Sequence, residues 1–360
     1  MSRPTVLTVV GNRPQYIKCA VVSGPLRSRL DEVLLDTGQH YDRELAAVFF
    51  EQLDLPEPDV TLGVGSGSHA EQTAAMLEGV EGALQTSAAD LALVYGDTNS
   101  TLAGALAAAK LNVPVAHVEA GLRSFDRRMP EEINRVLVDH VAALLFCPTV
   151  TAVENLRREG VTEGVHEVGD VMFDLAVRTL TPEREADVLA RFAVAPQAYF
   201  YVTVHRPSNT DDREHLASIL AALARCGRPV VFPAHPRTRA SLERFDLLGA
   251  VGDNVRLGEP VGYIESLSLI KNARVVATDS GGMQKEACFF GVPCVTLRDT
   301  SEWVETLESG WNVLVGADGD ALARALADPP RGGQRPSYGS GDAGERVAAT
   351  IADFLAGKAA

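Results

Sequence analysis

The sequence predicts an α/β protein made of two Rossmann-like, doubly wound domains that face a cleft. Short runs rich in Val and Leu alternate with longer helical patterns along almost the whole chain, which is typical of parallel sheets with helices on both faces. The length of 360 residues suits about two domains. The alternation changes pace near residues 168–196, so we expect one sheet before this segment and another after it.

The predicted strands are short apolar runs of the kind that a buried parallel sheet contains. Those of the first domain are Thr5–Val10, Val33–Asp36, Leu91–Tyr95, Val113–Val118 and Leu144–Cys147. Those of the second domain are Tyr199–Val204, Val230–Phe232, Asn254–Leu257, Arg274–Thr278, Cys294–Leu297 and Asn312–Val315. The helical patterns between them include His69–Gln85, Asn99–Lys110, Asp212–Arg225 and Gly282–Phe290.

Two segments without strands give the predicted domain boundaries. The charged helical segment Arg178–Arg191 leads into the second sheet, and Asp328–Gly344 has the Pro, Gly, Arg and Ser content of a loop. We expect the last helix, Glu345–Leu355, to return to the first domain. The first domain is therefore predicted to comprise residues 1–168 and 341–360, and the second domain residues 169–340.

Composition and charge exclude several classes of partner. The net charge of −15 argues against nonspecific binding to nucleic acid or to an anionic membrane. The five cysteines form no CxxC pair, which is typical of reduced structural thiols, and none of the eight histidines forms an HxH or HxxxH pair, so no metal site is predicted. Neither a signal peptide nor a membrane-spanning apolar run is present, so we expect a cytoplasmic protein.

Acidic residues follow several of the predicted strands. Asp97 and Glu119 each follow a strand, and the next helix begins with Glu131 and Glu132. Because chemistry in open α/β sheets collects at strand ends, these carboxylates suit proton transfer on a substrate that carries negative charge. The alternatives are that Glu131 or Glu132 only complements the helix dipole and that Asp97 only caps a helix.

A glycine-rich strand-to-helix turn lies at residues 278–286. Ser280, Gly281 and Gly282 begin a helix whose backbone N–H groups can approach a phosphate without obstruction from a Cβ. Glu286 lies one turn further on, where its carboxylate can accept hydrogen bonds from sugar hydroxyls. The alternative is a tight turn in which Ser280 only caps the helix.

Basic residues lie near two other strand ends. Arg13 and Lys18 belong to the helix after the first strand, and His205 follows the first strand of the second domain, where it suits a leaving phosphate or a structural role. The first turn does not match GxGxxG, so the sequence predicts no nicotinamide cofactor and no other cofactor.

Together these motifs resemble the non-hydrolysing UDP-N-acetylglucosamine 2-epimerase family over residues 5–316. The shared motifs are Gly-Asn-Arg-Pro near the start, Thr-Gly-Gln-His at 37–40, Gly-Asp-Thr at 96–98, His-Val-Glu-Ala-Gly-Leu-Arg from 117, Pro-Glu-Glu-Ile-Asn-Arg from 130, His-Arg at 205–206, and Asp-Ser-Gly-Gly from 279 with the following Glu. The resemblance implies the two-domain fold of many nucleotide-sugar glycosyltransferases (GT-B-like), a UDP-sugar substrate and a homodimer.

The resemblance also implies roles for individual residues. The diphosphate is expected to contact Arg13, His205, Ser280 and Gly281, and Glu286 is expected to bind the ribose. The acid–base groups around the sugar are expected to be Asp97, Glu119 and Glu131, with Lys18 and Arg135 supporting them. Metal and redox cofactors are not expected.

Some residues depart from the family pattern and favour a particular branch. Trp303 stands where an arginine is common, so one ligand cation is expected to be missing, and Glu-Trp-Val-Glu at 302–305 resembles the branch acting on UDP-2,3-diacetamido-glucuronic acid. Arg123, Arg127 and Arg128 are candidates for binding the carboxylate of such a uronate. Asp42 replaces a glutamine used for allosteric substrate binding, so such regulation is not expected.

The predicted reaction is inversion of C2 in UDP-N-acetylglucosamine, giving UDP-N-acetylmannosamine, through elimination of UDP and its re-addition to a glycal. The alternatives are a UDP-2,3-diacetamido-2,3-dideoxy-glucuronate 2-epimerase, a nucleotide-sugar glycosyltransferase, a hydrolysing epimerase and a non-catalytic nucleotide-sugar sensor. A glycosyltransferase would need one catalytic base and an acceptor groove, whereas this chain offers three acids.

Overall fold

The computed structural model describes residues 3–39 and 55–358. The chain divides into two compact units. The first unit comprises Met1–Leu175 and Ser337–Ala360, and the second comprises Ala176–Pro336.

The first unit contains a parallel sheet with the strand order β3-β2-β1-β4-β5-β6-β7. Its strands are β1 Thr5–Val10, β2 Asp31–Asp36, β3 Val60–Thr61, β4 Leu91–Tyr95, β5 Val115–Val118, β6 Leu144–Cys147 and β7 Val165–Glu167. The strand order reverses between β1 and β4, and open α/β sheets bind ligands at the carboxyl ends of strands beside such a reversal.

The helices of the first unit connect these strands and cover the sheet. They are α1 Arg13–Arg29, α2 His69–Ser87, α3 Asn99–Lys110, α4 Pro130–Val141, α5 Val150–Arg158 and α6 Val171–Thr179, with α15, Ala343–Lys358, at the end of the chain. The alanine-rich helix α3 packs closely on β1 and β4, and a Cβ at Gly104 would lie 3.0 Å from Val94.

The second unit contains a parallel sheet with the strand order β10-β9-β8-β11-β12-β13. Its strands are β8 Phe200–Thr203, β9 Val230–Pro233, β10 Val255–Gly258, β11 Val275–Thr278, β12 Cys294–Thr296 and β13 Asn312–Leu314. Its α-helices are α7 Pro182–Arg191, α8 Pro207–Thr210, α9 Arg213–Arg225, α10 Pro236–Arg244, α11 Tyr263–Asn272, α12 Gly281–Phe289, α13 Val304–Glu308 and α14 Gly319–Ala327. The order reverses between β8 and β11.

The predicted α/β class with doubly wound parallel sheets is confirmed, and two short strands were not predicted. Strands β3 and β7 lie at the two edges of the first sheet and span only two and three residues. Runs this short show no apolar periodicity, so sequence patterns do not detect them.

The helical segment predicted over Arg178–Arg191 is confirmed except for a break at residues 180–181. Helix α6 ends at Thr179 and α7 begins at Pro182, because Pro182 takes the first helical position and the Thr181 side chain accepts a hydrogen bond from the Arg184 N–H. The boundary between the units lies within α6, after Leu175, so residues 176–179 of that helix belong to the second unit together with α7.

The two boundaries between the units differ from the predicted ones by a few residues. The first falls after Leu175 instead of after residue 168, and the second falls before Ser337 instead of before residue 341. Residues 169–175 and 337–340 pack with the first unit, where the Asp170 N–H donates to the Tyr338 carbonyl at 2.9 Å. Further along, the Gly344 N–H donates to Asp174 Oδ2 at 2.9 Å. Helix α15 then packs against α1, with an ion pair between Glu345 and Arg29.

Candidate active site

In the first unit, three predicted site residues lie at the carboxyl ends of β1, β4 and β5. Arg13 begins α1 after β1, Asp97 follows β4, and Glu119 follows β5. The registers of β4 with β1 and with β5 place these strands side by side at the reversal of strand order. The parallel sheet therefore brings the ends of these three strands to one edge.

Glu119 forms an ion pair with Lys18, and both side chains are almost buried. Glu119 has a φ of +71°, which is uncommon for a residue other than glycine and costs conformational energy. Its N–H donates to the Phe146 carbonyl at 3.1 Å. The pair lies against Gly96, where a Cβ would come within 3.1 Å of Lys18 Nζ. Strain of this kind is concentrated at functional sites.

Asp97 is held by two residues of α4. Arg135 Nη2 lies 2.5 Å from Asp97 Oδ2, and the Asn134 amide donates to the Asp97 carbonyl at 2.9 Å. The following helix α3 is capped by Thr98, whose side chain accepts from the Thr101 N–H. The capping interpretation of Asp97 is therefore wrong.

The two acids at the start of α4 have different environments. Glu132 is buried and accepts hydrogen bonds from the Ser124 N–H at 2.9 Å, the Phe125 N–H at 3.0 Å and Arg135 Nη1 at 3.0 Å. Burial opposes ionisation of Glu132, but these donors outweigh it and lower its pKa. Glu131 is exposed. Glu132 thus has a structural role, whereas the Glu131 side chain lies at the surface.

Arg123 does not suit the recognition of a sugar carboxylate. Its guanidinium is 1% exposed and lies 2.7 Å from Asp139 and 2.8 Å from Glu159. Arg128, the second candidate, is exposed and pairs with Asp126 at 2.8 Å, and Arg127 is also exposed. The structure leaves Arg127 and Arg128 as the candidates.

In the second unit, the ends of β8 and β11 are joined through Asp279. This buried carboxylate accepts hydrogen bonds from the backbone N–H groups of His205 and Arg206 at 2.9–3.1 Å and from the Asn209 amide at 3.0 Å. His205 Nδ1 lies 3.1 Å from Asp279 Oδ1. Burial opposes ionisation, but the His205 ring and the other donors hold the pKa of Asp279 below its usual range.

Helix α12 begins at Gly281 directly after the end of β11. Ser280 occupies the N-cap position, and among the described residues its side chain makes no capping hydrogen bond to the helix, so the capping alternative fails. A Cβ at Gly281 would overlap the Glu302 carboxylate, whereas one at Gly282 would lie 3.9 Å from Glu286. Gly281 thus leaves space for the Glu302 carboxylate, and Gly281 and Gly282 are only half-buried, as the approach of a phosphate to their backbone N–H groups would require.

Glu286 and Trp303 are both buried in the second unit. The Tyr263 hydroxyl donates to Glu286 Oε1 at 3.0 Å, which fixes one carboxylate oxygen. Lys285 Nζ lies 4.4 Å from the centre of the Trp303 ring, a distance typical of a cation–π contact. The tryptophan therefore packs against a cation.

Sequence reasoning missed Asp279 as a site residue, although it directly precedes Ser280 in the same motif. It also missed Asp139, which lies on α4, contacts His117 of strand β5 and carries no local sequence signal. His40 and Asp42 lie outside the described residues.

The described residues contain no cluster of three or more His, Cys, Asp and Glu side chains arranged to hold a metal ion. Helices in the described part of the chain also lack the combination of length and apolar character needed to cross a membrane.

The two doubly wound parallel sheets define an α/β protein of the GT-B-like class. The chain belongs to the UDP-N-acetylglucosamine 2-epimerase family, whose model matches residues 26–352. This confirms the resemblance predicted from the motifs.

Three relatives illustrate the similarity. A UDP-N-acetylglucosamine 2-epimerase homolog of Methanococcus maripaludis is 49% identical over 326 residues, covering 89% of this chain and 91% of its own. A UDP-2,3-diacetamido-2,3-dideoxy-D-glucuronate 2-epimerase of Pseudomonas aeruginosa is 45% identical over 358 residues, covering 96% and 99%. The crystal structure of the Methanocaldococcus jannaschii UDP-GlcNAc 2-epimerase in complex with UDP-GlcNAc and UDP is 41% identical, has a TM-score of 0.85, and covers 98% and 99%.

Proposed function

We propose that this protein is a non-hydrolysing epimerase that inverts C2 of a UDP-2-acetamido sugar, converting UDP-N-acetylglucosamine to UDP-N-acetylmannosamine. The observation that carries the proposal is the pair of carboxylates, Asp97 and Glu119, at the ends of adjacent strands, each paired with a cation. Family membership and the relatives named above support the same reaction.

The first chemical step must break the C1–O bond, because C2–H of a 2-acetamido sugar has no adjacent ring carbonyl to acidify it. An oxocarbenium-like centre at C1 makes that proton removable, and the electron pair of the broken bond leaves with UDP. The departing diphosphate needs donors that are already in place. The Ser280–Gly282 backbone, the His205 ring and Arg13 are proposed to supply them.

The second step moves protons at the two faces of C2. One carboxylate removes the C2 proton to give a 2-acetamidoglycal, and an acid on the opposite face returns a proton before UDP adds back at C1. Two faces require at least two acid–base groups, and Asp97, Glu119 and Glu131 are proposed for these roles. Lys18 and Arg135 hold the Glu119 and Asp97 carboxylates in one orientation.

Product analysis tests this proposal against its alternatives. Purified protein incubated with UDP-N-acetylglucosamine alone should give UDP-N-acetylmannosamine, identified by NMR with the nucleotide still attached. Release of free N-acetylmannosamine and UDP would instead indicate a hydrolysing enzyme. A glycosyltransferase would leave C2 unchanged and would need an added acceptor, and a sensor would bind UDP without turnover.

A second candidate substrate is UDP-2,3-diacetamido-2,3-dideoxy-glucuronate. The Pseudomonas aeruginosa relative at 45% identity bears that name, and Glu-Trp-Val-Glu at residues 302–305 supports this branch. The two sugars should be compared for kcat/KM under one set of conditions. A preference of tenfold or more, about 1.4 kcal/mol, would assign the substrate.

We also propose a homodimer in a reducing, cytoplasmic location. Ile133, Leu137 and Val141 are 42–49% exposed, and their spacing places them on one face of α4 as an apolar stripe that a second copy could cover. All five cysteines are free thiols, which supports a reducing compartment. Sedimentation should give twice the 38.4 kDa chain mass, and Leu137→Lys should shift the distribution toward monomer.

A further inference from the structure

A cluster of four ionisable side chains lies behind the strand ends of the first unit. His117, Arg123 and Asp139 are buried, whereas Glu159 is exposed. His117, on β5, is 0% exposed, with Nδ1 2.7 Å from Asp139 Oδ1 and Nε2 2.7 Å from the Gly96 carbonyl. Asp139 Oδ2 accepts from Arg123 Nη1 at 2.7 Å and from the Gly121 N–H at 3.1 Å. Arg123 also binds Glu159 with two contacts of 2.8 Å.

Hydrogen-bond donors and acceptors restrict the protonation of His117. A backbone carbonyl only accepts, so Nε2 must carry a proton to bond Gly96. Asp139 Oδ2 already receives two donors. The Arg123 guanidinium and the Gly121 N–H both stabilise the ionised form, so Asp139 is a carboxylate that only accepts. Nδ1 must then carry a proton as well.

Two other titratable groups lie beside these side chains. The Cys147 thiol stays neutral, because burial and then the charges of Asp139 and Glu167 raise its pKa. His140 Nδ1 lies 3.9 Å from Glu159 Oε2, on the exposed side of the cluster.

We propose that His117 is a positioning residue with both ring nitrogens protonated, which ties the loop that carries Asp97 to the strand end that carries Glu119. One N–H fixes the Gly96 carbonyl, directly before Asp97. The other N–H fixes Asp139, which in turn holds the Gly121 N–H two residues after Glu119. Both acid–base carboxylates are thereby attached to one cation that does not touch the substrate.

The catalytic part of this inference rests on the proposed epimerase function, whereas the charge of His117 does not. NMR of ¹⁵N-histidine-labelled full-length protein tests the charge directly at about pH 8, well above the ordinary histidine pKa of about 6.5. One of the eight histidines should keep two protonated ring nitrogens, and its signals should be absent from the spectrum of His117→Gln. A wild-type His117 ring with one unprotonated nitrogen would overturn the proposal.

Replacing the partner gives a second test of the charge. Asp139→Asn removes one negative charge, so the cluster would carry an excess positive charge, and His117 should lose a ring proton at the same pH. If both nitrogens stayed protonated in Asp139→Asn, the carboxylate would not be what holds the charge, and the proposed coupling would be wrong.

Kinetics test the positioning role. His117→Gln retains one donor but no charge, and displacing reacting groups by about 1 Å can cost up to about 100-fold in rate. We expect kcat to fall by 10- to 100-fold with KM for the UDP-sugar within about threefold, because the proposed nucleotide contacts lie mainly in the second unit. His166→Gln, on the edge strand β7, is the matched control and should keep wild-type kcat.

Unchanged kcat in a folded His117→Gln would overturn the positioning role. So would equal changes in kcat and KM that accompany a loss of thermal stability. Absence of turnover by the wild-type protein would contradict the epimerase function, and the NMR result would still decide the charge of His117.

Discussion

Asp279 fixes the orientation of the His205 ring, because its Oδ1 lies 3.1 Å from His205 Nδ1 while the same carboxylate accepts the His205 backbone N–H. A carboxylate only accepts, so Nδ1 carries a proton and Nε2 is the ring nitrogen that can meet a ligand. The diphosphate role proposed for His205 therefore depends on a residue that does not need to contact the diphosphate.

Asp279→Asn should weaken both UDP binding and turnover. The amide cannot satisfy the same set of donors, so the His205 ring loses its fixed orientation. We expect the Kd for UDP, measured by calorimetry, to rise about tenfold or more, which is about 1.4 kcal/mol. Asp318→Asn, at the exposed start of α14 in the same unit, is the matched control and should leave UDP binding unchanged. Equal affinity in the two variants would contradict the orienting role.

The pH dependence of stability should also change in Asp279→Asn. The folded-state pKa of Asp279 is lowered, so its carboxylate stabilises the protein above the unfolded pKa of about 3.9. That contribution disappears as the pH falls through the folded-state value. We expect the Tm of the wild type to fall more steeply than that of Asp279→Asn between about pH 5 and pH 2. Parallel Tm curves for the two proteins over this pH range would show that ionisation of Asp279 does not contribute to the pH dependence of stability.

Glu131→Gln and Glu132→Gln should have opposite effects. Glu131 is exposed, so Glu131→Gln should keep Tm and UDP binding but lose about 10²–10⁴-fold in turnover if Glu131 is an acid–base group. Glu132 accepts three or more hydrogen bonds in the interior, so Glu132→Gln should lower the free energy of unfolding by about 1–3 kcal/mol. Near-normal turnover of Glu131→Gln would leave Glu131 only the helix-dipole role.

Gly281→Ala should reduce both stability and UDP affinity, because the added Cβ overlaps the Glu302 carboxylate beside the helix start. Overpacking of this kind commonly costs about 1–3 kcal/mol. Gly282→Ala is the control for folding, since its Cβ would make an ordinary contact at 3.9 Å, and its Tm should not fall. Wild-type UDP affinity in a folded Gly281→Ala protein would locate the phosphate elsewhere.

Trp303→Arg should lower kcat/KM for both candidate sugars to the same extent. The sequence favours a specificity role for Trp303, but the ring is 2% exposed and lies beneath Lys285, so an arginine would place a second cation in a buried position. Steady-state kinetics on both sugars, with Tm as a check of folding, measure this. A changed ratio of kcat/KM between the sugars would restore the specificity role.

The strands and the glycine-rich turn could be predicted because their signals are local. The apolar run Leu91–Tyr95 predicts a buried strand from five consecutive residues, and the Gly281–Gly282 pair predicts a strand-to-helix turn from its immediate neighbours. The His117–Asp139 contact joins a strand to a helix 22 residues later, and the Glu131–Glu132 distinction depends on which side chain faces Ser124. Tertiary contacts decide such questions, and a single sequence does not record them.

Deuterium exchange at C2 tests the central claim most directly. The wild-type protein should convert UDP-N-acetylglucosamine in deuterated water to UDP-N-acetylmannosamine that carries deuterium at C2. One carboxylate removes the C2 proton, and an acid group that has exchanged with the solvent delivers a deuteron to the other face. NMR and mass spectrometry of the isolated product measure this without any added acceptor. An epimer that retains C2 protium, or no epimer at all, would contradict the account.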